Sequence, residues 1–305
     1  MHPVASVIVA TRNRSALLAH MLPSLERSLA GAGQAVEVVI ADNGSTDESA
    51  KVIADWVQRG PQRASILVPK PGKAVALNRA LELARGPLLV FTDDDVELHP
   101  DWLRAILTFA AQHPHYAAAM GRVLLPPGLQ DPEVRGRVTY YRTIPLFDSG
   151  DEIRDDSHLY GANMFVRRTA FDRVGGFNER LGPGASGLHE DGDLARRLLQ
   201  AGVRLGYMPG AVVYHVVEPE RLTFAYFRTL QLRDAHSRFE MDPHLGWAHS
   251  ARHWLGACAV WILWGVLGNA GRRLRARGRM ISYAELLRLR WRAHHMRRIV
   301  GPQGA

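Results

Sequence analysis

Residues 88–102 read LLVFTDDDVELHPDW. Leu88 to Thr92 is a short apolar run with β-branched and aromatic side chains, which predicts a buried strand. The run stops at three adjacent carboxylates, Asp93, Asp94 and Asp95, and open α/β sheets hold their ligands at this end of a strand. Three like charges repel one another unless a cation joins them, and hard divalent cations take carboxylate oxygens. The alternative is an acidic turn that is simply solvated.

Strands and helices alternate on the N-terminal side of this stretch. The predicted strands cover 4–10, 36–41 and 65–68. The predicted helices cover 15–29, 45–58 and 74–84, the second opened by a capping box with Ser45 as N-cap and Glu48 three residues later. This alternation predicts an α/β fold with a mostly parallel sheet. No G-x-G-x-x-G motif follows the first strand, and no G-x-x-x-x-G-K-[ST] motif is present, which argues against a dinucleotide oxidoreductase and a P-loop NTPase.

Polar residues follow the predicted strands where each one ends. Thr11, Arg12 and Asn13 follow the first strand, and Asp42 follows the second. Parallel strands bring these ends to one rim, so we expect the polar residues to lie beside the aspartate triplet.

The region after residue 102 continues the alternation less regularly. A helix is predicted to about 112, strands at 116–125 and 159–167, and a short helix at 169–174. Residues 126–157 are rich in proline, glycine and charge and lack periodicity, so we predict a long mobile segment near the site.

A second acidic cluster, Glu190-Asp191-Gly192-Asp193, opens a predicted helix that ends at Gly202. Carboxylates at a helix N-terminus are favourable with the macrodipole, so capping alone could explain the cluster. Alternatively, Asp191 acts as a general base aimed into a cleft. The glycine-rich run 182–187 before it could move or admit a substrate. His215 ends the next predicted strand and is either structural or a ligand of the same cation.

The order of these segments resembles family 2 glycosyltransferases of GT-A fold over roughly residues 4–215. The matching segments are SVIVATRNR (6–14), VIADNGSTDES (39–49), GKAVALNRALELARGPLLVFTDDD (72–95), YGANMFVRRTAFDRVGGFNE (160–179) and HEDGDLARRLLQAGVRLGYMPGAVVYH (189–215). Arg12 departs from the family's commoner P-T-Y-N-R, which has an aromatic residue there. Residues 126–157 match nothing in the family.

The resemblance implies a role for each matched residue. The residues expected to bind the nucleotide-sugar are Ala10, Thr11, Arg12, Asn13, Asp42, Lys73, Asn78, Asp93 and Asp94. The expected ligands of Mn²⁺ or Mg²⁺ are Asp95, His215 and Asp93, and the expected acceptor-side residues are Gly161 and Asn163. Asp191 would be the catalytic base, with Glu190 helping to hold the acceptor. We therefore expect Asp95, Asp191 and His215 to meet at one pocket.

The implied activity is an inverting, metal-dependent transfer of a sugar from a nucleotide-diphospho-sugar to a hydroxyl acceptor. A single base without a second nucleophilic carboxylate favours inversion. The expected acceptor is a glycan or a lipid-linked molecule of cell-surface synthesis. The predicted regions are 1–100 for donor binding, 101–217 for the acceptor half of the same domain and 218–305 for a helical, basic extension.

The extension is apolar and then rich in arginine. Residues 254–267 read WLGACAVWILWGVL, short for a membrane span, and RRLRARGRM and LLRLRWRAHHMRR follow. We expect a peripheral or monotopic helix on an anionic membrane surface, the alternative being a buried helix with a solvated basic tail. A lone cysteine, Cys258, fits a reducing cytoplasm, and no signal peptide is predicted at the N-terminus. The expected location is therefore the inner face of the cell membrane.

Two other functions are compatible with parts of the sequence. A sugar nucleotidyltransferase also uses a parallel sheet and acidic metal ligands, but the glycine-rich triphosphate loop is missing. A non-catalytic nucleic-acid or membrane binder would explain the arginines and the net charge of +8. It would leave both acidic clusters unexplained, so no nucleic-acid partner is expected.

Overall fold

The first four strands form the parallel half of a nine-stranded sheet. The computed structural model describes residues 2–242 and 246–300, without the side chains of Trp247 and of 292–300. The elements of this half are β1 (Ala5–Thr11), α1 (Ser15–Ala30), β2 (Val36–Asp42), α2 (Ser49–Val57), β3 (Arg63–Leu67), α3 (Lys73–Leu83) and β4 (Leu88–Asp93). The strands lie in the order β3-β2-β1-β4, and every pairing among them is parallel.

The second half of the sheet mixes parallel and antiparallel pairs. Its elements are β5 (Val96–Leu98), α4 (Trp102–Gln112), β6 (Ala118–Leu124), α5 (Pro132–Tyr141), β7 (Arg154–Asp156), β8 (Asn163–Arg167), α6 (Arg168–Val174), α7 (Glu190–Gln200) and β9 (Leu205–His215). The order continues β4-β8-β6-β9-β5, with β7 also on β9, and only the β6–β9 pair is parallel. The predicted α/β class is confirmed, and its parallel pairs are those of the first four strands together with β6–β9. The predicted boundary at 100 falls within one continuous sheet and stays a prediction.

Helices cover both faces of the sheet, because the strands alternate their side chains between two apolar layers. Val7 and Val9 of β1 pack in one layer with α1, α2 and α4. Ile8 and Ala10 face the other layer, formed with α3, α6 and α7. Both faces of β1 are therefore buried, as its continuous apolar sequence predicts.

Two local predictions were wrong. The α2 helix begins at Ser49 rather than Ser45, because the Ser45 hydroxyl accepts a hydrogen bond from the Asn13 backbone at 2.9 Å instead of capping the helix. The segment 126–157 also contains regular structure, namely α5 and β7. Val138 of α5 is buried in a small apolar cluster with Ile144 and Leu222, which anchors this segment to the C-terminal part of the chain.

The C-terminal extension is helical. A short 3-10 helix (Pro219–Leu222) precedes α8 (Phe224–Met241), α9 (Trp247–Val266) and α10 (Ala270–Val300). α10 packs against both α8 and α9. Across the described residues, 2–242 and 246–300, none of the helices is both long and apolar enough to cross a membrane. The predicted basic cluster at 286–298 lies partly outside the described side chains.

Candidate active site

The carboxyl ends of β1, β2 and β4 lie level at one rim of the sheet. The strand register pairs Thr11 with Asp42 and Ala10 with Asp93. Arg12 and Asn13 are exposed in the loop that follows β1. The Asn13 side chain accepts a hydrogen bond from the Thr46 backbone at 2.7 Å, which ties the β1 and β2 loops together. The rim predicted from the sequence is thus assembled.

Asp42 and Asp94 stabilise this rim by accepting hydrogen bonds from its backbone and side-chain groups. Asp42 accepts a hydrogen bond from the Ser45 backbone at 2.9 Å. Asp94 is 3% exposed and accepts hydrogen bonds from the Thr11 hydroxyl at 2.6 Å and from Arg14 at 2.7 Å. Burial raises the pKa of the Asp94 carboxyl, against the charge of Arg14. The expected contact of Asp94 with the nucleotide-sugar is not supported, because both of its oxygens accept hydrogen bonds from Thr11 and Arg14 inside the protein. The Thr11 hydroxyl is used in the same hydrogen bond, so its expected contact is not supported either.

Asp95 lies between two arginines and a histidine. One of its oxygens, Oδ2, accepts hydrogen bonds from Arg221 at 2.5 Å and from Arg14 at 3.0 Å. Its other oxygen is buried and has no hydrogen-bond partner among the described residues. His215 Nε2 is 3.6 Å from that oxygen, too far for a hydrogen bond. Burial would raise the pKa of Asp95, but the proximity of His215, Arg221 and Arg14 lowers it below the ordinary value.

The Asp95–His215 pair fits a divalent cation. The His215 ring bonds through Nδ1 to the Val216 carbonyl at 2.7 Å, and its Nε2 lies 3.5 Å from Arg221 Nη1 and 3.6 Å from the free Asp95 oxygen. Two ligands of one cation, each about 2.1 Å from it, lie at most about 4.2 Å apart. Within the described part of the chain, no cluster of three or more metal-ligating side chains is present. The pair would thus share the cation with substrate phosphates and water.

Asp93, predicted as a third metal ligand, is turned away from this pair. Its carboxylate is 2.6 Å from the Lys73 ammonium, which is also 3.3 Å from Glu190. Burial alone would lower the pKa of Lys73, but Asp93 and Glu190 outweigh it and raise that pKa. Burial raises the pKa of Glu190. The expected role of Asp93 as a metal ligand is therefore not supported, because its carboxylate pairs with the Lys73 ammonium.

Lys73 is positioned by two loops. The Asn43 side chain accepts a hydrogen bond from the Gly72 backbone at 2.8 Å, and the Lys73 backbone donates to Pro183 at 2.8 Å. Gly184 has a φ of +86°, and a β-carbon there would come within 2.9 Å of Gly72. This close approach explains a glycine in the run 182–187, which was predicted to move or to admit a substrate.

Asp191 faces the same cleft as Lys73 and Asp93. Gly161 donates its backbone N–H to Asp191 Oδ2 at 2.9 Å, and Gly192 donates to Oδ1 at 2.7 Å. The walls of the cleft are formed by Lys73, Leu77, Phe91, Thr92, Asp93, Gly161, Met164, Phe177, Glu190 and Asp191. Asp95 and His215 do not line it. The expected meeting of Asp95, Asp191 and His215 at one pocket is therefore not confirmed, because only Asp191 of the three lines the cleft.

The start of α7 is held by the C-terminal extension. His189, which precedes Glu190 and has a φ of +72°, bonds through Nε2 to Asp234 of α8 at 2.9 Å. Ser282 of α10 donates to the same carboxylate at 2.7 Å. Burial would raise the pKa of Asp234, but the His189 hydrogen bond and Arg238 lower it. Two helices of the extension therefore support the segment that carries Asp191.

Two asparagines predicted to contact substrates are engaged elsewhere. The Asn78 amide donates to the Phe177 carbonyl at 3.0 Å and accepts from the Phe177 backbone at 2.8 Å, so its contact with a nucleotide is not supported. Asn163 is fully buried: it accepts from Trp102 at 2.8 Å and donates to the carbonyls of Arg122 and Ala211. Its expected acceptor-side role is therefore wrong, because a buried, satisfied amide cannot meet a substrate. Gly161, by contrast, lines the cleft.

Sequence reasoning missed the residues whose partners are distant along the chain. Arg221 meets Asp95 across 126 positions, and Asp234 meets His189 across 45. Neither lies in a segment that carries the family resemblance. Asn43 lies within VIADNGSTDES, so its position beside Asp42 was a usable signal.

Comparison with known proteins agrees with this geometry. The model of glycosyl transferase family 2 matches residues 6–175. N-acetylglucosaminyl-diphospho-decaprenol L-rhamnosyltransferase of Mycobacterium tuberculosis is 30% identical over 276 residues, covering 76% of this chain and 84% of that protein.

Solved structures are similar in fold. A mannosyltransferase from Pyrobaculum calidifontis, in complex with GDP-Man and Mn²⁺, has a TM-score of 0.54 at 20% identity, covering 99% of this chain and 76% of the other. Residues 1–349 of TarS from S. aureus give 0.53 at 16% identity, covering 95% and 91%. The fold is therefore that of known glycosyltransferases, and with the family match over more than half its length, this chain is a glycosyltransferase that belongs to family 2.

Proposed function

We propose that the chain transfers a sugar from a nucleotide-diphospho-sugar to an acceptor hydroxyl, with inversion at the anomeric carbon. The observation that carries the proposal is one cleft lined by Asp191, Lys73 and Asp93, with Asp95, two residues beyond Asp93 along the chain, and its neighbour His215 outside the cleft lining. This arrangement places a base and an ammonium close together, since a β-carbon at Gly161 would lie 3.4 Å from Lys73 Nζ and 3.8 Å from Asp191 Oδ2. The expected donor-binding residues Ala10, Arg12, Asn13 and Asp42 lie along the adjoining rim.

Asp191 is the proposed general base. Backbone N–H groups of Gly161 and Gly192 each bond to one of its oxygens, which fixes the orientation of the carboxylate and leaves lone pairs for a substrate proton. The acceptor hydroxyl gives its proton to Asp191 as its oxygen attacks the anomeric carbon. The new glycosidic C–O bond forms as the bond from that carbon to the diphosphate oxygen breaks, and the electron pair leaves with the diphosphate.

Cationic side chains stand where the diphosphate charge would develop. Lys73 is in the cleft, and Arg14 and Arg221 converge on Asp95 behind it. Asp95 and His215 would hold Mn²⁺ or Mg²⁺, which supplies Lewis-acid neutralisation of the leaving group when bound. The Pyrobaculum neighbour was solved with Mn²⁺, which supports this choice of cation by analogy.

The other carboxylates of the cleft are committed to Lys73. Asp93 and Glu190 both pair with its ammonium, which leaves Asp191 as the carboxylate with no cationic partner among the described ion pairs of the cleft. A retaining route needs a second carboxylate as nucleophile. The pairing of Asp93 and Glu190 therefore favours a single displacement with inversion.

The proposed acceptor follows from the mycobacterial relative and from the C-terminal extension. The mycobacterial relative is named for a sugar linked through diphosphate to decaprenol. We therefore propose a lipid-linked or cell-surface glycan as the acceptor, with the chain peripheral to an anionic membrane surface. The arginine-rich α10 is consistent with this location.

A thermal-shift screen of nucleotide-sugars, with and without Mn²⁺, tests the proposal. A ligand that binds only the folded state raises the melting temperature, by an amount set by its concentration and affinity. We expect one nucleotide-sugar to stabilise the chain, more strongly with Mn²⁺ than without. That compound should then be hydrolysed slowly in the absence of an acceptor. Stabilisation by no nucleotide-sugar in either condition would contradict the proposal.

A further inference from the structure

An open groove lies between α5 and the α9–α10 pair, away from the catalytic cleft. Its volume is about 410 Å³, within the usual range for small-ligand sites. The side chains that give it its chemistry are those of Tyr140, Trp261, Trp264, Arg273 and Arg277. No acidic residue is among the described residues that line it. The groove is therefore aromatic and cationic.

The arginines of the groove have no carboxylate to neutralise them. Arg273 lies over the Trp261 ring at 4.5 Å, and Arg277 lies over Phe224 at 4.3 Å. Within the described residues, neither arginine forms an ion pair, and both are exposed. Stacking on a ring holds a guanidinium in place while its N–H groups stay free, and this planar fork suits a phosphate. The two arginines thus present a preformed anion site.

Aliphatic side chains stand in water on the face of α9 that points away from the groove, about half a helical turn around from Trp261 and Trp264. Val266 is 82% exposed, and Ile262, Leu263 and Leu267 are each more than half exposed. These four residues are close together at the end of α9 and the turn that follows it. A contiguous apolar patch of this kind marks an interaction surface.

We infer that this groove binds the phosphate headgroup of an anionic membrane lipid, with the aliphatic side chains of α9 in the acyl boundary. The inference rests on the proposed function only in placing sugar transfer at a membrane surface. Charge complementarity identifies the occupant, because the arginines on one side of α9 require an anion and the aliphatic residues on its other side require an apolar phase, as for a helix that lies in the plane of a membrane interface. A nucleic acid would satisfy the arginines and the tryptophans but would leave the aliphatic residues in water.

Vesicle flotation of the full chain tests the site. The probes are phosphatidylcholine vesicles with and without phosphatidylglycerol. The test variant is Arg273→Gln with Arg277→Gln, and the matched control is Arg275→Gln with Arg279→Gln. The control removes the same charge at the same spacing from the opposite flank of α10, since two residues of helix correspond to about 200°.

We expect the native chain to bind the phosphatidylglycerol vesicles. The test variant should bind about fivefold more weakly per lost arginine, or roughly 30-fold in total, from the attraction of a basic side chain to an anionic leaflet. The control should stay within roughly threefold of the native chain at physiological salt, where the Debye length is about 8 Å. Equal losses in both variants would show diffuse attraction and overturn the site. Native binding to an RNA oligonucleotide but not to vesicles would overturn the choice of occupant.

Tryptophan fluorescence gives a second measurement. Brominated acyl chains should quench the emission of the native chain on binding, and Trp261→Phe with Trp264→Phe should remove most of that quenching. Unchanged quenching in this variant would contradict lipid binding in the groove that Trp261 and Trp264 line. Stabilisation by a nucleotide-sugar with Mn²⁺, measured in the arginine test variant, separates the two proposals. If this stabilisation persists in the variant while vesicle binding is lost, the groove binds lipid independently of donor binding. If the native chain binds vesicles but no nucleotide-sugar, only the proposed function fails.

Discussion

Buried carboxylates at the two ends of β1, β2 and β4 differ in how completely they are hydrogen-bonded. At the starting end, Glu37 is 4% exposed and accepts hydrogen bonds from the Ser6 hydroxyl at 2.6 Å and from the side chain of Arg85 at 2.9 Å. The backbone N–H groups of Arg85 and Gly86 also donate to it. Burial alone would raise the pKa of Glu37, but these hydrogen bonds outweigh it and lower that pKa.

At the finishing end, the carboxylates are crowded and incompletely bonded. Asp95 is 4% exposed, like Glu37, but one of its oxygens has no hydrogen-bond partner among the described residues. Burial raises the pKa values of Asp94 and Glu190. A fully bonded carboxylate contributes to a unique fold, whereas an unbonded oxygen between cationic groups is a cost that a ligand can remove. The comparison separates a structural end of the sheet from a functional one.

The largest effect should come from Asp191→Asn in the cleft. Loss of the base should lower the transfer rate by about 10²- to 10⁴-fold, the usual contribution of general base catalysis. Donor affinity and melting temperature should stay near native, since the amide retains the shape of the carboxylate. Initial rates and calorimetric titration of the donor measure the two quantities. Transfer at the native rate would show that Asp191 is not the base.

Asp95→Asn should weaken donor binding, whereas Asp191→Asn removes the acceptor of the substrate proton. We expect donor affinity in Mn²⁺ to fall at least roughly 10- to 100-fold, the range that loss of an outer-shell partner of a metal already produces. Affinity measured in a chelator should change much less. An equal loss in both conditions would mean that Asp95 supports the site through Arg14 and Arg221 rather than through a cation.

Glu37→Gln should change stability but not chemistry. The amide cannot accept all the hydrogen bonds made to Glu37, so the free energy of unfolding should fall by about 1–3 kcal/mol. The transfer rate at low temperature should stay native, which Asp95→Asn cannot match. A large loss of activity in a folded Glu37→Gln protein would contradict the separation of the two ends.

The same variant should show a distinct pH dependence. Because the pKa of Glu37 is lower in the folded state than its ordinary value of 4.5, its contribution to stability is complete above about pH 4.5. That contribution is lost as the pH falls through the lower, folded-state value. Denaturant titrations between pH 3 and 7, roughly the range around the ordinary carboxyl pKa, should converge for the native chain and Glu37→Gln at the acidic end.

Asp234→Ala should have the smallest effect among the variants that are expected to change catalysis. Its loss frees His189 and so loosens the start of α7, which should lower kcat by up to roughly tenfold, as a typical hydrogen bond contributes about 0.5–1.5 kcal/mol. KM for the donor should change little, and Asp234→Asn should restore part of the rate. A rise in KM without a change in kcat would contradict a positioning role for Asp234.

The sequence predicted those parts of the molecule that depend on local pattern. Strands and helices around Leu88–Asp93 follow from apolar periodicity, and the rim follows from parallel strands ending in polar residues. The capping box at Ser45 failed because a tertiary hydrogen bond from Asn13 competed for its hydroxyl. Segment 126–157 was misjudged because α5 is stabilised by packing on the extension and not by its own periodicity.

The sequence predicted which types of residue form the site, but not which side chains pair with one another. The family resemblance grouped Asp93 and Asp95 as metal ligands, yet the chain turns after Asp93, the last residue of β4, and the Asp93 carboxylate pairs with Lys73. Arg221 carries no local signal of its contact with Asp95, because that contact closes a loop of 126 residues. Long-range charge pairs of this kind become visible only in the folded structure.

The anomeric configuration of the product, measured by NMR on the first sugar transferred, tests the account most directly. Asp93 and Glu190 are held by Lys73, so a single displacement with Asp191 as the base should invert the configuration of the donor. A product that retained the donor configuration would require a nucleophile in the cleft and would contradict the assignment of Asp191 as the base of a single displacement.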